Sequence, residues 1–163
     1  MSRPLRRRWK MWRHRVNRTR QVSYRERLLL AEAFWRLATA RLQLATQPFP
    51  RIARRLGGFT TPAQARASVD ARAPSADDRV IATSIGWAVT RAAQHAPFGA
   101  VCLPQAMAAK AMLARRGISS VMHFGTKHGE ALSLVAHAWL DAAGVEVTGY
   151  PIEPGFTEIA CIP

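Results

Sequence analysis

The amino-acid sequence predicts an α+β fold in which helices come first and an antiparallel sheet comes last. Up to residue 116, apolar residues recur at helical spacing between residues that cap or stop helices. After Gly117 the pattern changes to short alternating segments typical of strands, and residues 142–144 form a tight connection between two of them. Helices followed by strands in this order indicate an α+β domain.

The length and the charge distribution indicate one domain with an N-terminal arm. The chain has 163 residues and a net charge of +14, and its length fits a single domain. Most of the basic residues fall within residues 1–55, where Glu26 and Glu32 are the only acidic ones. We therefore divide the sequence into a basic arm, residues 1–22, and a domain, residues 23–163.

The first helix is predicted over residues 23–45. Ser23 and Glu26 form a capping box, which satisfies two backbone donors at the start of a helix. Pro48 and Pro50 end it. Its apolar face consists of residues at helical spacing: Leu30, Phe34, Leu37 and Leu44.

Three further helical segments are predicted before residue 100. Residues 51–56 fit a short helical turn, and Pro62 opens the next helix at a position where proline is tolerated. A longer helix follows Pro74, with Asp77 and Asp78 in its first turn, where they complement the helix dipole. Four apolar residues predict its buried stripe: Val80, Ile81, Ile85 and Ala88.

The C-terminal part is predicted to begin with a helix over residues 102–116, which Gly117 ends in the left-handed conformation. Residues 125–130 are predicted to form a polar turn. Three strands are predicted around that turn and around the tight connection, over residues 118–124, 132–141 and 145–150.

Cysteine usage and hydropathy exclude several classes of protein. Two cysteines, Cys102 and Cys161, are too few for a disulfide-rich scaffold. The absence of Cys-x-x-Cys and His-x-x-x-His pairs argues against a structural zinc site. No segment approaches the roughly 20 apolar residues of a membrane span. We therefore expect a cytoplasmic protein that binds no metal and no other cofactor, and we leave open whether it requires ATP. We expect Cys161 to pack against the sheet.

Cys102 and His137 are the candidate catalytic residues. Cys102 stands where a helix begins, and the helix dipole and free backbone amides there favour a thiolate, as in papain-like enzymes. A lone thiol is more often an inert buried residue, so its position alone does not decide its role. His137, in the middle of a predicted strand, is placed where an imidazole can reach that thiolate. His123 and His128 are weaker candidates.

Four segments carry a family resemblance: Cys102-Leu103-Pro104-Gln105-Ala106, Leu113-Ala114-Arg115-Arg116-Gly117-Ile118, Phe124-Gly125 and Ala136-His137-Ala138-Trp139. They resemble the B protein of lasso-peptide biosynthesis, a transglutaminase-like cysteine protease that removes the leader peptide from its precursor. The resemblance covers about residues 20–163 and is specific over residues 102–144. It implies a papain- or transglutaminase-like core for the predicted α+β fold.

The resemblance implies that Cys102 is the nucleophile and that His137 is the general base, and then the acid that protonates the leaving amine. It also implies that Trp139 packs beside the site, where it would bind substrate. An acidic residue often follows the histidine in that family, at about the position that Gly149 occupies here. Asp141 shares a face with His137 but lies roughly 13 Å along the strand. Asp141 is our candidate for the third residue, which orients His137. The alternatives are a Cys–His dyad without a third residue, or an imidazole oriented by a carbonyl, an amide side chain or a displaced acid.

The resemblance also implies partners. The substrate would be the precursor peptide, a small winged-helix protein would present its leader, and a lasso cyclase would use the freed amine. The region before Cys102 reads as helical and lacks the strands of a winged-helix element. We therefore expect a stand-alone protease that depends on a separate recognition protein.

Two alternative functions remain open. Cys102 and His137 also suit a transglutaminase-like amidase or acyl-transferase. The other alternative is a non-catalytic basic protein that binds peptide or nucleic acid, because Gly149 replaces the acid and the arm interleaves arginines with Trp9 and Trp12. Nucleic acid is the less expected ligand, because the excess positive charge is confined to the N-terminal third.

Overall fold

The computed structural model describes residues 23–69, 73–129 and 133–163, and it shows an α+β fold. The predicted arm, residues 1–22, lies outside the described residues. In the described part of the chain the helices come first and a four-stranded antiparallel sheet comes last. The helices are α1 (Tyr24–Thr46), α2 (Phe49–Leu56), α3 (Pro62–Val69), α4 (Ala76–Ala93) and α5 (Cys102–Ala114).

The helix starts follow local signals in the sequence. The Ser23 hydroxyl accepts a bond from the backbone N–H of Glu26, whose side chain accepts one from the backbone N–H of Ser23, as the capping box predicts. The same reciprocal pair joins Ser75 to Asp78 at the start of α4. Such bonds replace the intrahelical partners that the first amides of a helix lack, so they fix where α1 and α4 begin.

The buried face of α4 differs from the predicted stripe at one position. Ile85 and Ala88 are fully buried, but Val80 keeps 65% of its surface exposed. The buried side of the helix runs through Ala82, Ile85 and Val89, three and four residues apart, and Val80 lies off that line. The face that α4 turns to the core is therefore rotated away from Val80 and toward Ala82 and Val89.

The sheet has the order β3-β2-β1-β4. Residues 125–128, predicted as part of a turn, continue β1 instead, because they pair with β2 as far as Leu134. The segment Thr157–Ile162, for which no strand was predicted, pairs with the other side of β1. The strands are β1 (Ser120–His128), β2 (Leu134–Ala142), β3 (Val145–Thr148) and β4 (Thr157–Ile162).

The β2–β3 hairpin has a register one residue away from the predicted one. Ala142, rather than Asp141, pairs with Val145, and the loop has two residues instead of three. Both loop residues, Ala143 and Gly144, have positive φ angles of 53° and 72°. These angles suit a tight turn whose twist matches that of the strands.

The two faces of the sheet pack differently. Leu140 and Ala142 of β2 belong to the main core, which also contains the buried side of α5. Because successive residues of a strand point to opposite faces, His137 and Trp139 point away from that core. On their face, Ala65 of α3 packs in a smaller buried cluster with β1 and β4. The candidate site histidine therefore lies on the face opposite the one that packs against α5.

Candidate active site

Cys102 is the first residue of α5, at the helix end that carries a partial positive charge. The preceding residue, Val101, has extended backbone, and its side chain makes no capping bond. The side-chain amide of Gln105 donates to the Ala100 carbonyl at 2.7 Å, which holds the chain where it enters the helix. The Cys102 thiol is half-buried. This position combines access with backbone amides that can stabilise negative charge.

His137 is half-buried in β2, and its ring is held by a backbone carbonyl. The Nε2 atom lies 2.7 Å from the oxygen of Gly149. A carbonyl oxygen can only accept a hydrogen bond, so Nε2 carries a proton. In the neutral ring the basic nitrogen is then Nδ1. This arrangement corresponds to one of the alternatives considered for the third position, a carbonyl in place of an acid.

The conformation of Gly149 explains why no acidic side chain occupies that position. Its φ angle is +84°, a left-handed value that favours glycine. A Cβ atom built there would lie 2.6 Å from the Ala138 carbonyl oxygen and 2.8 Å from the Cα of Trp139. Both neighbours are backbone atoms, so a side chain at this position requires the strands to move. The chain presents a carbonyl to His137 where there is no space for a carboxylate.

Asp141, our candidate for the residue that orients His137, binds other groups. Its Oδ1 accepts a hydrogen bond from the Tyr150 hydroxyl, and its Oδ2 lies 3.3 Å from Nε2 of His123. Burial, followed by the bond to Asp141, raises the pKa of Tyr150 well above its ordinary value. Asp141 and His137 share a face of the sheet, as predicted, but the carboxylate contacts a different histidine, His123.

Trp139 is buried and lies between two imidazole rings. Its ring centroid is 5.5 Å from that of His123, with the planes 5° apart, and 5.9 Å from that of His137, with the planes 23° apart. The Phe156 ring also contacts His137, at 5.4 Å between centroids. Trp139 thus packs beside the candidate base, and only 6% of its surface is exposed for contact with a substrate. Its contacts hold the orientation of the His137 ring.

Cys102 and His137 are not joined in this structure. Within residues 23–69, 73–129 and 133–163, the thiol of Cys102 makes no hydrogen bond to His137 or to any other group. His137 points away from the main core, against which α5 packs. Catalytic hydrogen bonds are often long or absent before substrate binds, so the two residues keep their candidate roles.

A second group of reactive side chains surrounds His123. Its Nδ1 lies 2.5 Å from Oε1 of Glu158, and the Cys161 thiol donates to the same oxygen at 2.8 Å. Burial lowers the pKa of His123, but the neighbouring carboxylates of Asp141 and Glu158 outweigh it, so that the pKa lies above its ordinary value. Sequence reasoning missed this group because its members lie up to 38 residues apart. Only the β-branched residues of the segment 157–162 could have indicated the strand that carries Glu158 and Cys161.

The family of this chain follows from a sequence match. A family model described as the transglutaminase-like superfamily matches residues 43–161. The chain belongs to the transglutaminase-like superfamily. Members of this superfamily are generally cysteine peptidases or transglutaminases, and both form a thioester on a cysteine. Comparisons with curated proteins and with solved structures give no significant match.

Among the residues that the structure describes, no helix is both long and apolar enough to cross a bilayer.

Proposed function

We propose that this protein is a transglutaminase-like cysteine peptidase that removes the leader from the precursor of a lasso peptide. Cys102 is the nucleophile and His137 is the base. The observation that carries the assignment of His137 as the base is the bond from its Nε2 to the Gly149 carbonyl, because this bond leaves Nδ1 as the basic nitrogen. The position of Cys102 at the start of α5 and the family membership support it.

The reaction follows from these two groups. The Cys102 thiolate attacks the carbonyl carbon of the scissile bond, and its backbone N–H helps to bind the resulting oxyanion. The His137 imidazolium then gives its proton to the leaving amine, and a thioester remains on Cys102. Water attacks the thioester while His137 accepts a proton. This step releases the leader's carboxylate and restores the thiol.

Closure of the catalytic pair is part of the proposal. Cys102 makes no hydrogen bond to His137 in the described part of the chain, and we propose that substrate or partner binding forms this bond. A separate winged-helix protein would present the leader, since the described residues before Cys102 form helices and one isolated bridge at Thr60 rather than a small sheet. A lasso cyclase would then use the freed amine.

The leader-peptidase function depends on the resemblance of residues 102–144 to the lasso B proteins. An amidase or acyl-transferase would use the same thioester but would pass it to an amine instead of water. Adding a small nucleophilic amine during turnover separates the two functions. A peptidase yields the free leader acid as the main product, whereas an acyl-transferase yields mostly the leader amide.

The test begins with the thiol alone. We expect Cys102 to be alkylated by iodoacetamide at pH 7 at least about 10-fold faster than a free thiol when precursor and recognition protein are present. His137→Ala should abolish this acceleration and lower cleavage by about 10²- to 10⁴-fold. His95→Ala, which alters an exposed histidine whose ring contacts only the backbone carbonyl of Arg91 at the end of α4, is the matched control.

Two results would contradict the proposal. One is cleavage that survives Cys102→Ala. The other is a Cys102 that stays as slow as a free thiol with precursor and recognition protein bound, which would favour a binding protein.

A further inference from the structure

Three side chains that can bind a metal ion converge on one point of the sheet. His123 lies on β1, and Glu158 and Cys161 lie on β4. Their ligand atoms all lie within 4.8 Å of one another. The distances are 2.5 Å from Nδ1 to Oε1, 2.8 Å from Sγ to Oε1 and 3.6 Å from Sγ to Nδ1. None of these residues belongs to the catalytic pair, so the inference below does not rest on the proposed peptidase function.

An irregularity in the sheet brings the three together. His123 pairs with Cys161 across the β1–β4 ladder, so the two share a face. On a regular strand Glu158 would point to the opposite face from Cys161, because the two lie three positions apart. The register shifts between Phe124 and Gly125, so that Glu158 pairs with Gly125 and one extra residue lies in β4. This bulge turns Glu158 to the same face as Cys161.

We propose that His123, Glu158 and Cys161 bind a Zn²⁺ ion. An imidazole nitrogen, a carboxylate oxygen and a thiolate are all ligands that zinc accepts. From zinc–ligand bond lengths, tetrahedral geometry places sulfur and nitrogen about 3.6 Å apart and the oxygen about 3.4–3.6 Å from each. The sulfur and nitrogen of Cys161 and His123 already have this spacing. Only the Glu158 carboxylate has to withdraw, by roughly 0.8 Å, to admit the ion.

A carboxylate lies beside the second ring nitrogen of His123, as it does around many zinc-binding histidines. Such a histidine usually donates its second ring N–H to a carboxylate, which fixes the ring and strengthens the ligand. Here Nε2 of His123 faces Oδ2 of Asp141 at 3.3 Å, and the Tyr150 hydroxyl in turn donates to Asp141. Trp139 stacks on the same imidazole. The ring is therefore held with Nδ1 directed toward Glu158 and Cys161.

Binding of Zn²⁺ releases protons, and the partly exposed side chains indicate where the ion enters. The thiol proton of Cys161 and the proton between Nδ1 and Glu158 pass to solvent as the ion enters. Cys161 is fully buried, whereas the side chains of His123 and Glu158 keep 14% and 21% of their surface exposed. The ion therefore enters from the Glu158 side, and a water molecule can complete its coordination there.

The experiment uses the full chain, freed of metal with a chelator and titrated with Co²⁺ as a coloured probe for Zn²⁺. We expect one Co²⁺ per chain and a thiolate-to-cobalt absorption band that Zn²⁺ abolishes. The two cysteines supply the control: Cys102→Ser should keep the band and Cys161→Ser should lose it. Zn²⁺ should also raise the thermal midpoint of the wild type. Glu158→Gln, which retains both cysteines, should weaken Zn²⁺ binding at least about 10-fold.

Several results of these metal titrations would overturn the proposal. One is the absence of a thiolate band in the wild type, and another is a band lost with Cys102→Ser and retained with Cys161→Ser. Equal Zn²⁺ affinity in Glu158→Gln and the wild type would also overturn it. If Cys161→Ser does not fold, Glu158→Gln and His123→Gln decide the question.

Discussion

Replacement of Gly149 by alanine tests the link between backbone conformation and the candidate base. Gly149 has a φ angle of +84°, where a residue with a side chain is strained by about 1–3 kcal/mol. The new Cβ would also lie 2.6 Å from the Ala138 carbonyl oxygen, roughly 0.8 Å closer than an ordinary contact. The backbone at residue 149 must therefore move. A comparable shift would lengthen the 2.7 Å bond to His137 to about 3.5 Å and weaken it strongly.

Two effects of Gly149→Ala are expected. The free energy of unfolding should fall by about 2–4 kcal/mol, from strain and a weakened bond together. Cleavage and Cys102 alkylation should slow by about 10-fold or more, since a bond to the protonated imidazole contributes about 1.5–3 kcal/mol. Urea unfolding and alkylation at pH 7 with partners present would measure them.

Gly155→Ala is the matched control for this prediction. Gly155 has a φ angle of +92°, but a Cβ atom there meets no neighbour within 4 Å. It therefore carries the backbone strain without the collision and without contact to His137. If Gly149→Ala and Gly155→Ala lose the same stability and the same reactivity, the Gly149 carbonyl does not hold the base.

Three further predictions concern buried charge, the third residue and a helix cap. Lys110 is 9% exposed, its ammonium donates to two backbone carbonyls, and burial lowers its pKa to about 8. Between about pH 8 and 10.5 the unfolded chain binds the extra proton, so the free energy of unfolding should rise with pH by about 3 kcal/mol. Urea titrations should show this rise in the wild type and not in Lys110→Met. Asp141→Asn should leave cleavage within about 3-fold of wild type, and a loss above about 10²-fold would make Asp141 the third catalytic residue. Ser75→Ala should lower the free energy of unfolding by about 1 kcal/mol in thermal melts, and an unchanged midpoint would contradict the cap.

The helices could be predicted because their signals are local. The capping box of Ser23 and Glu26 lies within four residues, and so do the acidic residues at the start of α4. The α+β order and the strand that carries His137 also follow from spacing alone. These features depend on neighbours in sequence, which a single chain displays directly.

The sheet was harder to predict because its pairing is not local. Residues 125–128 read as a turn, but pairing with β2 extends them as a strand. Gly125 is needed there for packing, since a Cβ would lie 2.8 Å from the Trp139 ring. The bulge that brings Glu158 beside Cys161 depends on the β1–β4 register, which no spacing within β4 reveals. His123, Glu158 and Cys161 likewise show none of the short spacings by which a structural zinc site is recognised in a sequence.

The two histidines that flank Trp139, His123 and His137, differ in the groups that their ring nitrogens contact. His123 lies between two carboxylates, whose negative charge favours its protonated form and raises its pKa. His137 binds a neutral carbonyl through Nε2, which fixes the ring without adding a negative charge. A general base must be able to release its proton in each cycle, and the two acids beside His123 oppose that release, so His123 is poorly suited to the task. The carboxylate at Asp141 therefore serves the structural histidine, and the glycine at position 149 is consistent with catalysis by His137.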